Sequence, residues 1–102
     1  MLCMTPLFHS VENVTHDRLD LYDLVTLHPH ATFFMRYQGS DLSELSISKN
    51  DVLVIDRSVT PTPGNIVVVN MDGEFVIQKF SHQIQEDVEI WGVVCHAVHR
   101  LI

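Results

Sequence analysis

The apolar positions of this chain fall in short runs that favour β-strands. An aromatic-rich run, ATFFMRY, covers residues 31–37, and the runs VLVI at 52–55 and IVVV at 66–69 have the length and composition of buried strands. Turn-forming residues separate these runs. Asp72-Gly73 stands between the third run and EFVIQKF, which is the strongest hairpin signal in the sequence. A series of strands joined by turns is therefore predicted.

A long apolar segment near the C-terminus, VEIWGVVCHAVHRL, covers residues 88–101 and predicts a final strand. Gly92 interrupts this segment, and a glycine inside a strand indicates a bulge or a close approach of another backbone. Cys95 lies within the apolar run, so we expect it in the core rather than at a reactive surface.

One stretch ahead of the strands has the spacing of a short helix. Asp20 can cap its N-terminus, and Leu21, Leu24 and Val25 would share one face. Pro29 disfavours helical backbone at the preceding residue and so ends the element. The sequence therefore predicts a mainly β domain, a curled antiparallel sheet with one short N-terminal helix.

The length of 102 residues fits one folded domain. Residues 1–17 show no clear period and are predicted to form an N-terminal arm, with the domain over residues 18–102. No apolar stretch approaches the roughly 20 residues that span a bilayer, and the N-terminus lacks the pattern of a secretory signal. We therefore expect a cytoplasmic protein with no membrane contact, and its two cysteines reduced.

The net charge of the chain is −7, from 13 acidic and 6 basic residues. The basic residues are scattered along the sequence, whereas phosphate binding requires clustered Lys and Arg. Direct binding of nucleic acid is therefore not expected, and an acidic surface fits protein partners better.

The seven histidines do not have the spacing of a metal site. His28 and His30 stand two apart, and Cys95-His96 with His99 forms a second group, but neither matches a zinc-binding pattern. These histidines are predicted to be surface or edge residues. No metal and no cofactor is expected.

Four collinear motifs, ATFFMRYQGSDL, ISKNDVLVIDRS, GNIVVVNMDGEFVIQKF and WGVVCHAVHR, together resemble the LexA-like self-cleaving serine peptidases. Within that family they are most similar to the UmuD-type members. The resemblance runs from about Arg18 to Arg100 and implies the LexA/UmuD C-terminal-domain fold. In the family a serine attacks a peptide carbonyl after a neutral lysine has taken its proton.

Both halves of that serine–lysine dyad are replaced here. Gly39 matches the glycine of the family's active-site turn, but Asp41 falls at the position of the serine. On the strand after the hairpin, Gln78 occupies the position of the lysine. The family's cleavage site, Cys-Gly or Ala-Gly in the arm, has no counterpart, because no glycine precedes Gly39. The resemblance therefore implies a pseudo-peptidase with no catalytic residues.

A shifted dyad of Ser40 and Lys79 is the minor alternative, in which the protein is an active serine peptidase. Side chains alternate faces along a strand, so Lys79 should point away from the direction of Gln78. The alternative needs a register shift on two segments at once. On the simpler interpretation Ser40 is a turn residue, Lys79 is a solvated charge, and Asp41 and Glu44 form a solvated turn.

The resemblance also implies partners. The C-terminal region helps form the homodimer in the family, which makes Trp91, Val93, Cys95 and Ala97 candidate contact residues for a dimer or another partner. Trp91 and the valines could equally be ordinary core residues, or serve both roles. The segment at 81–87 is shorter than in the family, so part of the sheet beside the family's cleft is expected to be absent.

The function implied is that of a catalytically inactive, homodimeric UmuD-like accessory subunit in the SOS response and translesion DNA synthesis. It would bind a translesion polymerase subunit or a recombinase filament. The alternative is a regulatory decoy that dimerises with an active LexA-like repressor or with UmuD and alters its cleavage.

Overall fold

The computed structural model describes residues 20–82 and 88–102. The predicted arm and most of the shortened segment lie outside the described residues. One short α-helix is followed by five strands, with 3-10 turns at Pro29–Ala31 and Ser43–Leu45. The elements are α1 (Leu21–Val25), β1 (Thr32–Arg36), β2 (Val52–Asp56), β3 (Ile66–Met71), β4 (Glu74–Lys79) and β5 (Glu89–Val98). None of the helices within 20–82 and 88–102 is long and apolar enough to cross a membrane.

The five strands form one antiparallel sheet in the order β1-β2-β5-β3-β4. The predicted mainly β class with one short helix is therefore confirmed. The final strand lies at the centre of the sheet, where Val93–Val98 pair with β2 and Glu89–Val94 pair with β3. Because β3 begins opposite Val94, residues 96–98 pair with β2 alone among the described strands.

Each face of the sheet carries its own apolar cluster. The Ile55 face contains Ile47, Leu53, Ile55 and Val68, all at most 2% exposed. The Val67 face contains Val67, Val69 and Val93. Ile47 comes from the loop between β1 and β2 and covers the first cluster from above the sheet. The loop that carries the family's nucleophile position is thereby anchored to the core.

Two bulges shape β5. Val68 pairs with Gly92 and Val69 with Ile90, so Trp91 is the extra residue of the first bulge, and Cys95 is the extra residue of the second. A Cβ atom on Gly92 would lie 2.6 Å from Cγ2 of Ile55. The predicted bulge therefore lies next to Gly92, at Trp91, and the close neighbour of Gly92 is the Ile55 side chain rather than another backbone.

The hairpin between β3 and β4 is also confirmed. Its two turn residues, Asp72 and Gly73, have φ angles of +55° and +89°, as a type I′ turn requires. The side-chain oxygen of Asn70 accepts a hydrogen bond from the N–H of Gly73 at 3.0 Å and holds the turn.

The helix is capped as predicted, because the Asp20 carboxylate accepts a hydrogen bond from the N–H of Tyr22 at 3.0 Å. Of the three residues predicted to share one face of this helix, only Val25 is buried, whereas Leu21 and Leu24 are 54% and 57% exposed.

Candidate functional site

The turn that matches the family's active site is held by an aromatic side chain. The hydroxyl of Tyr37 donates a hydrogen bond to the carbonyl of Ser40 at 2.7 Å, so the ring folds over the turn. A Cβ atom on Gly39 would lie 2.6 Å from Cζ of this ring. Gly39 is therefore required here by the packing of Tyr37, which follows directly after β1.

Asp41, at the position of the family's serine, has a structural partner. Its carboxylate accepts a hydrogen bond from the backbone N–H of Lys49 at 2.8 Å. Two backbone hydrogen bonds join Leu42 and Ile47 inside the loop that this contact closes. Asp41 is exposed, as predicted for a turn residue, and its hydrogen bond also joins residues 41 and 49 across the loop.

Gln78 and Lys79 lie on opposite faces of β4, as the alternation of side chains predicts. Gln78 pairs with Val67 and Lys79 with Ile66, so each shares the face of its partner. Gln78 is half-buried on the Val67 face, and Lys79 is exposed. Within residues 20–82 and 88–102, no hydrogen bond joins Asp41 or Ser40 to either of these two side chains.

A groove of about 530 Å³ lies between the end of β1 and β4. Gly39 and Leu42 contribute to its wall, whereas Asp41 and Gln78 do not. The side chains that line it are mainly apolar: Met35, Leu42, Leu53, Val68, Phe75 and Ile77. Such a surface can hold apolar side chains of a bound segment. Arg36 also lines the groove and donates a hydrogen bond to the carbonyl of Asn50 at 3.0 Å.

A buried aspartate precedes β2 and binds a histidine. The Asp51 carboxylate accepts hydrogen bonds from Nδ1 of His99 at 2.7 Å and from the N–H of Ser48 at 2.9 Å. The backbone N–H of Ser48 and then His99 lower the pKa of Asp51, because both favour the charged carboxylate. His99 follows β5, so this pair ties the C-terminal end to the loop before β2.

A second buried aspartate ends β2. Burial raises the pKa of Asp56, but the hydrogen bonds from Ser58 and His28 outweigh it and the pKa is lowered. The distances are 2.6 Å to the Ser58 hydroxyl and 2.6 Å to Nδ1 of His28. Two histidines predicted only as surface or edge residues therefore each hold a peripheral segment to β2. Asp51 and Asp56, the acidic residues at the two ends of the apolar run DVLVID, were the sequence signal for these two aspartate–histidine pairs.

The four candidate partner residues do not share one surface. Trp91 is half-buried on the Ile55 face, and Val93 is buried on the Val67 face. Cys95 and Ala97 are exposed. The prediction that Cys95 is a core residue is wrong, because the bulge at this position removes it from the regular alternation of β5. In the described part of the chain, no three side chains of metal-binding type are grouped.

Comparison with known proteins identifies the class. The model of the Peptidase S24-like family matches residues 7–91, and the chain belongs to this family. Among curated proteins it is 32% identical to Protein ImpA of Salmonella typhimurium over 99 residues, which cover 80% of this chain and 68% of ImpA. It is 34% identical to Protein MucA of Escherichia coli over 99 residues, covering 78% of this chain and 68% of MucA.

A more distant match is the LexA repressor of Cellvibrio japonicus, at 31% identity over 64 residues, covering 62% of this chain and 32% of the repressor. The sheet and the matched relatives together define a UmuD-like protein with a LexA-type fold. The resemblance carried by the four sequence motifs is therefore confirmed at the level of family and fold.

Proposed function

We propose that this protein is a catalytically inactive, UmuD-like accessory subunit that acts by protein–protein binding in the SOS response and translesion DNA synthesis. The observation that carries the proposal is the hydrogen bond of the Asp41 carboxylate within its own loop. An acid stands where the family has its serine, and its carboxylate holds the backbone N–H of Lys49. The similarity to ImpA and MucA supports the same kind of role.

The chemistry of the replaced dyad supports inactivity. The amide of Gln78 is not basic and cannot take a proton from a nucleophile. Lys79 has the required amine, but it is exposed, and burial is what disfavours the charge of a general-base lysine. Ser40 is exposed as well, and its carbonyl is bound by Tyr37.

A cleavage assay tests this inactivity. The protein is mixed with a LexA-type substrate that carries an Ala-Gly site, under alkaline conditions that promote self-cleavage in the family. We expect no cleavage by the parent chain. Proteolysis that disappears in Ser40→Ala or Lys79→Ala would show a working shifted dyad and would overturn the proposal. The double variant Asp41→Ser with Gln78→Lys tests whether the rest of the site can still support the family's chemistry.

A homodimer is part of the proposal, and the described surface supports it. Within residues 20–82 and 88–102, no strand pairs with one side of residues 95–98 of β5, and an exposed apolar patch lies beside the end of the strand. The patch is formed by Leu21, Tyr22, Phe34 and Val98. Pairing with a second copy would satisfy the free backbone groups and cover apolar area at once. A strict monomer by light scattering at tens of micromolar would contradict this.

The proposed partners are a translesion polymerase subunit or a recombinase filament in the cytoplasm, without direct contact to nucleic acid. The match to a LexA repressor supports a second candidate, a decoy that forms mixed dimers with an active repressor or with UmuD. Copurification from SOS-induced cells separates the two. A polymerase bound to the protein supports the accessory role, and a repressor bound in its place supports the decoy.

A further inference from the structure

Three aromatic side chains form an exposed cluster on the Ile55 face, and one of them, Phe75, also lines the groove that Gly39 borders. The ring centroid of Trp91 lies 5.1 Å from that of Phe33 and 5.3 Å from that of Phe75. Phe33 is 41% exposed and Phe75 is 51% exposed. Large aromatic side chains left this open on a sheet face are typical of a surface that binds a partner. We call Phe33, Phe75 and Trp91 the aromatic cluster.

One cationic side chain, that of Arg57, packs against the aromatic cluster. The guanidinium carbon of Arg57 lies 4.5 Å from the centre of the Trp91 ring, and its Nε donates a hydrogen bond to the Trp91 carbonyl at 2.8 Å. These two contacts fix the side chain over the ring. The terminal nitrogens of Arg57 bind no group in residues 20–82 and 88–102, although the chain has 13 acidic residues. A fixed guanidinium with free donors is suited to a carboxylate.

The cluster lies beside an open strand. Phe75 belongs to β4, which is the last strand of the sheet and has no partner on its outer side in the described part of the chain. The unpaired N–H and C=O groups of such an edge can accept an added strand. The apolar groove also reaches β4 at residues 75–77, so side chains of an added strand would meet apolar surface along its length.

We propose that β4 and the aromatic cluster bind an extended peptide segment of a partner protein, which places an apolar side chain against Phe33, Phe75 and Trp91 and a carboxylate against Arg57. The net charge of −7 disfavours a nucleic acid strand on the same rings. The position disfavours a second copy of the chain, because the unpaired part of β5 lies elsewhere. This inference does not depend on the role in translesion synthesis.

Trp91 provides a direct readout, because it is the one tryptophan of the chain. The full-length protein is used to select binders from a display library of random 12-residue peptides, and the selected sequence is then synthesised. We expect an aromatic or aliphatic residue next to Asp or Glu in the selected peptides. Titration with the peptide should shift the Trp91 emission, and amide NMR signals of β4 should move with it. A version N-methylated at alternate residues should bind at least tenfold more weakly, because it cannot pair as a strand.

Matched variants locate the site. Phe75→Ala should weaken the peptide at least tenfold, whereas Met71→Ala removes an exposed apolar side chain from the opposite face and should leave binding unchanged. Arg57→Gln should weaken the acidic peptide at least fivefold and leave a peptide with Asn or Gln at that position unaffected. Equal binding by Phe75→Ala, or NMR shifts confined to α1 and β5, would overturn the proposal. So would an emission shift with oligo-dT, or one that appears on raising the protein concentration without peptide.

Discussion

The carboxylate of Asp41 lies 2.8 Å from the backbone nitrogen of Lys49 and accepts its hydrogen bond. The residue at the position of the family's nucleophile thus closes the loop that runs from β1 to β2. A serine side chain is one atom shorter and carries one oxygen in place of two. If the motif positions place Asp41 at the family's serine, this residue lacks the nucleophilic hydroxyl and has a longer acceptor that reaches the backbone of Lys49.

We expect Asp41→Ala to lower the free energy of unfolding by about 1 kcal/mol, the usual contribution of one such hydrogen bond. Urea denaturation of the parent and the variant measures this. The control is Glu44→Ala, which removes an exposed acid of the same loop and should change stability by less than about 0.5 kcal/mol. If both variants have the same free energy of unfolding as the parent, the hydrogen bond between Asp41 and Lys49 does not stabilise the protein in solution.

The dense packing at Gly92 gives a second prediction. A methyl group at this position would meet Cγ2 of Ile55 at 2.6 Å, inside a sheet that is paired on both sides there. Gly92→Ala should therefore destabilise the protein by about 1–3 kcal/mol, as overpacked cores do. The midpoint of thermal unfolding, followed by circular dichroism, measures the loss.

The double variant Gly92→Ala with Ile55→Ala identifies the cause of that loss. Ile55→Ala removes every side-chain carbon beyond Cβ, including Cγ2, and opens the space that the new Cβ atom needs, so the two changes should cost less together than the sum of the single variants. Additive losses would show that Gly92→Ala acts through the backbone of the bulge instead of through contact with Ile55.

Sequence patterns were sufficient for elements that depend on local chemistry. The Asp72-Gly73 turn and the Asp20 cap both follow from the local preferences of single residues. The two bulges of β5 depend instead on how three strands fit together. Alternation along the sequence therefore could not show that Cys95 is exposed, or that Trp91 and Val93 lie on different faces.

The histidine contacts were missed for a similar reason. His28 is separated from Asp56 by 28 residues and His99 from Asp51 by 48, so only the folded sheet brings each pair together. The replacement of the dyad rests on motif positions alone and stays a prediction. The opposite faces of Gln78 and Lys79 were also predicted, because they require only the regular alternation of β4.

The two buried aspartates predict an acid-sensitive fold. Hydrogen bonds from Ser48 and His99 lower the folded-state pKa of Asp51, and those from Ser58 and His28 lower that of Asp56. A lowered folded-state pKa means that the unfolded chain takes up protons first as the pH falls. The stabilisation is therefore complete above the ordinary pKa of 3.8 and is lost progressively as the pH falls below it.

Urea midpoints measured from pH 7 down to about pH 2.5 test the sign. The double variant Asp51→Asn with Asp56→Asn should be less stable at pH 7 and should show a shallower loss of stability in acid, because it lacks the two titrating groups. Asp72→Asn is the control, since it changes an exposed acid in a turn that asparagine also fits. If the urea midpoint of the double variant falls with decreasing pH as steeply as that of the parent, the result would contradict the role of these two carboxylates.

The unpaired side of residues 95–98 predicts how a dimer can be broken without unfolding the domain. Ala97 is exposed on this segment, and antiparallel pairing of two copies would bring the side chains at this position near each other. Ala97→Glu would place like charges there and should weaken the dimer at least tenfold, which is about 1.4 kcal/mol. Sedimentation equilibrium measures the change, and added salt should partly reverse it because it screens the repulsion. Met71→Glu adds the same charge at the exposed end of β3 and should leave the dimer unchanged; an equal loss in both variants would place the contact elsewhere.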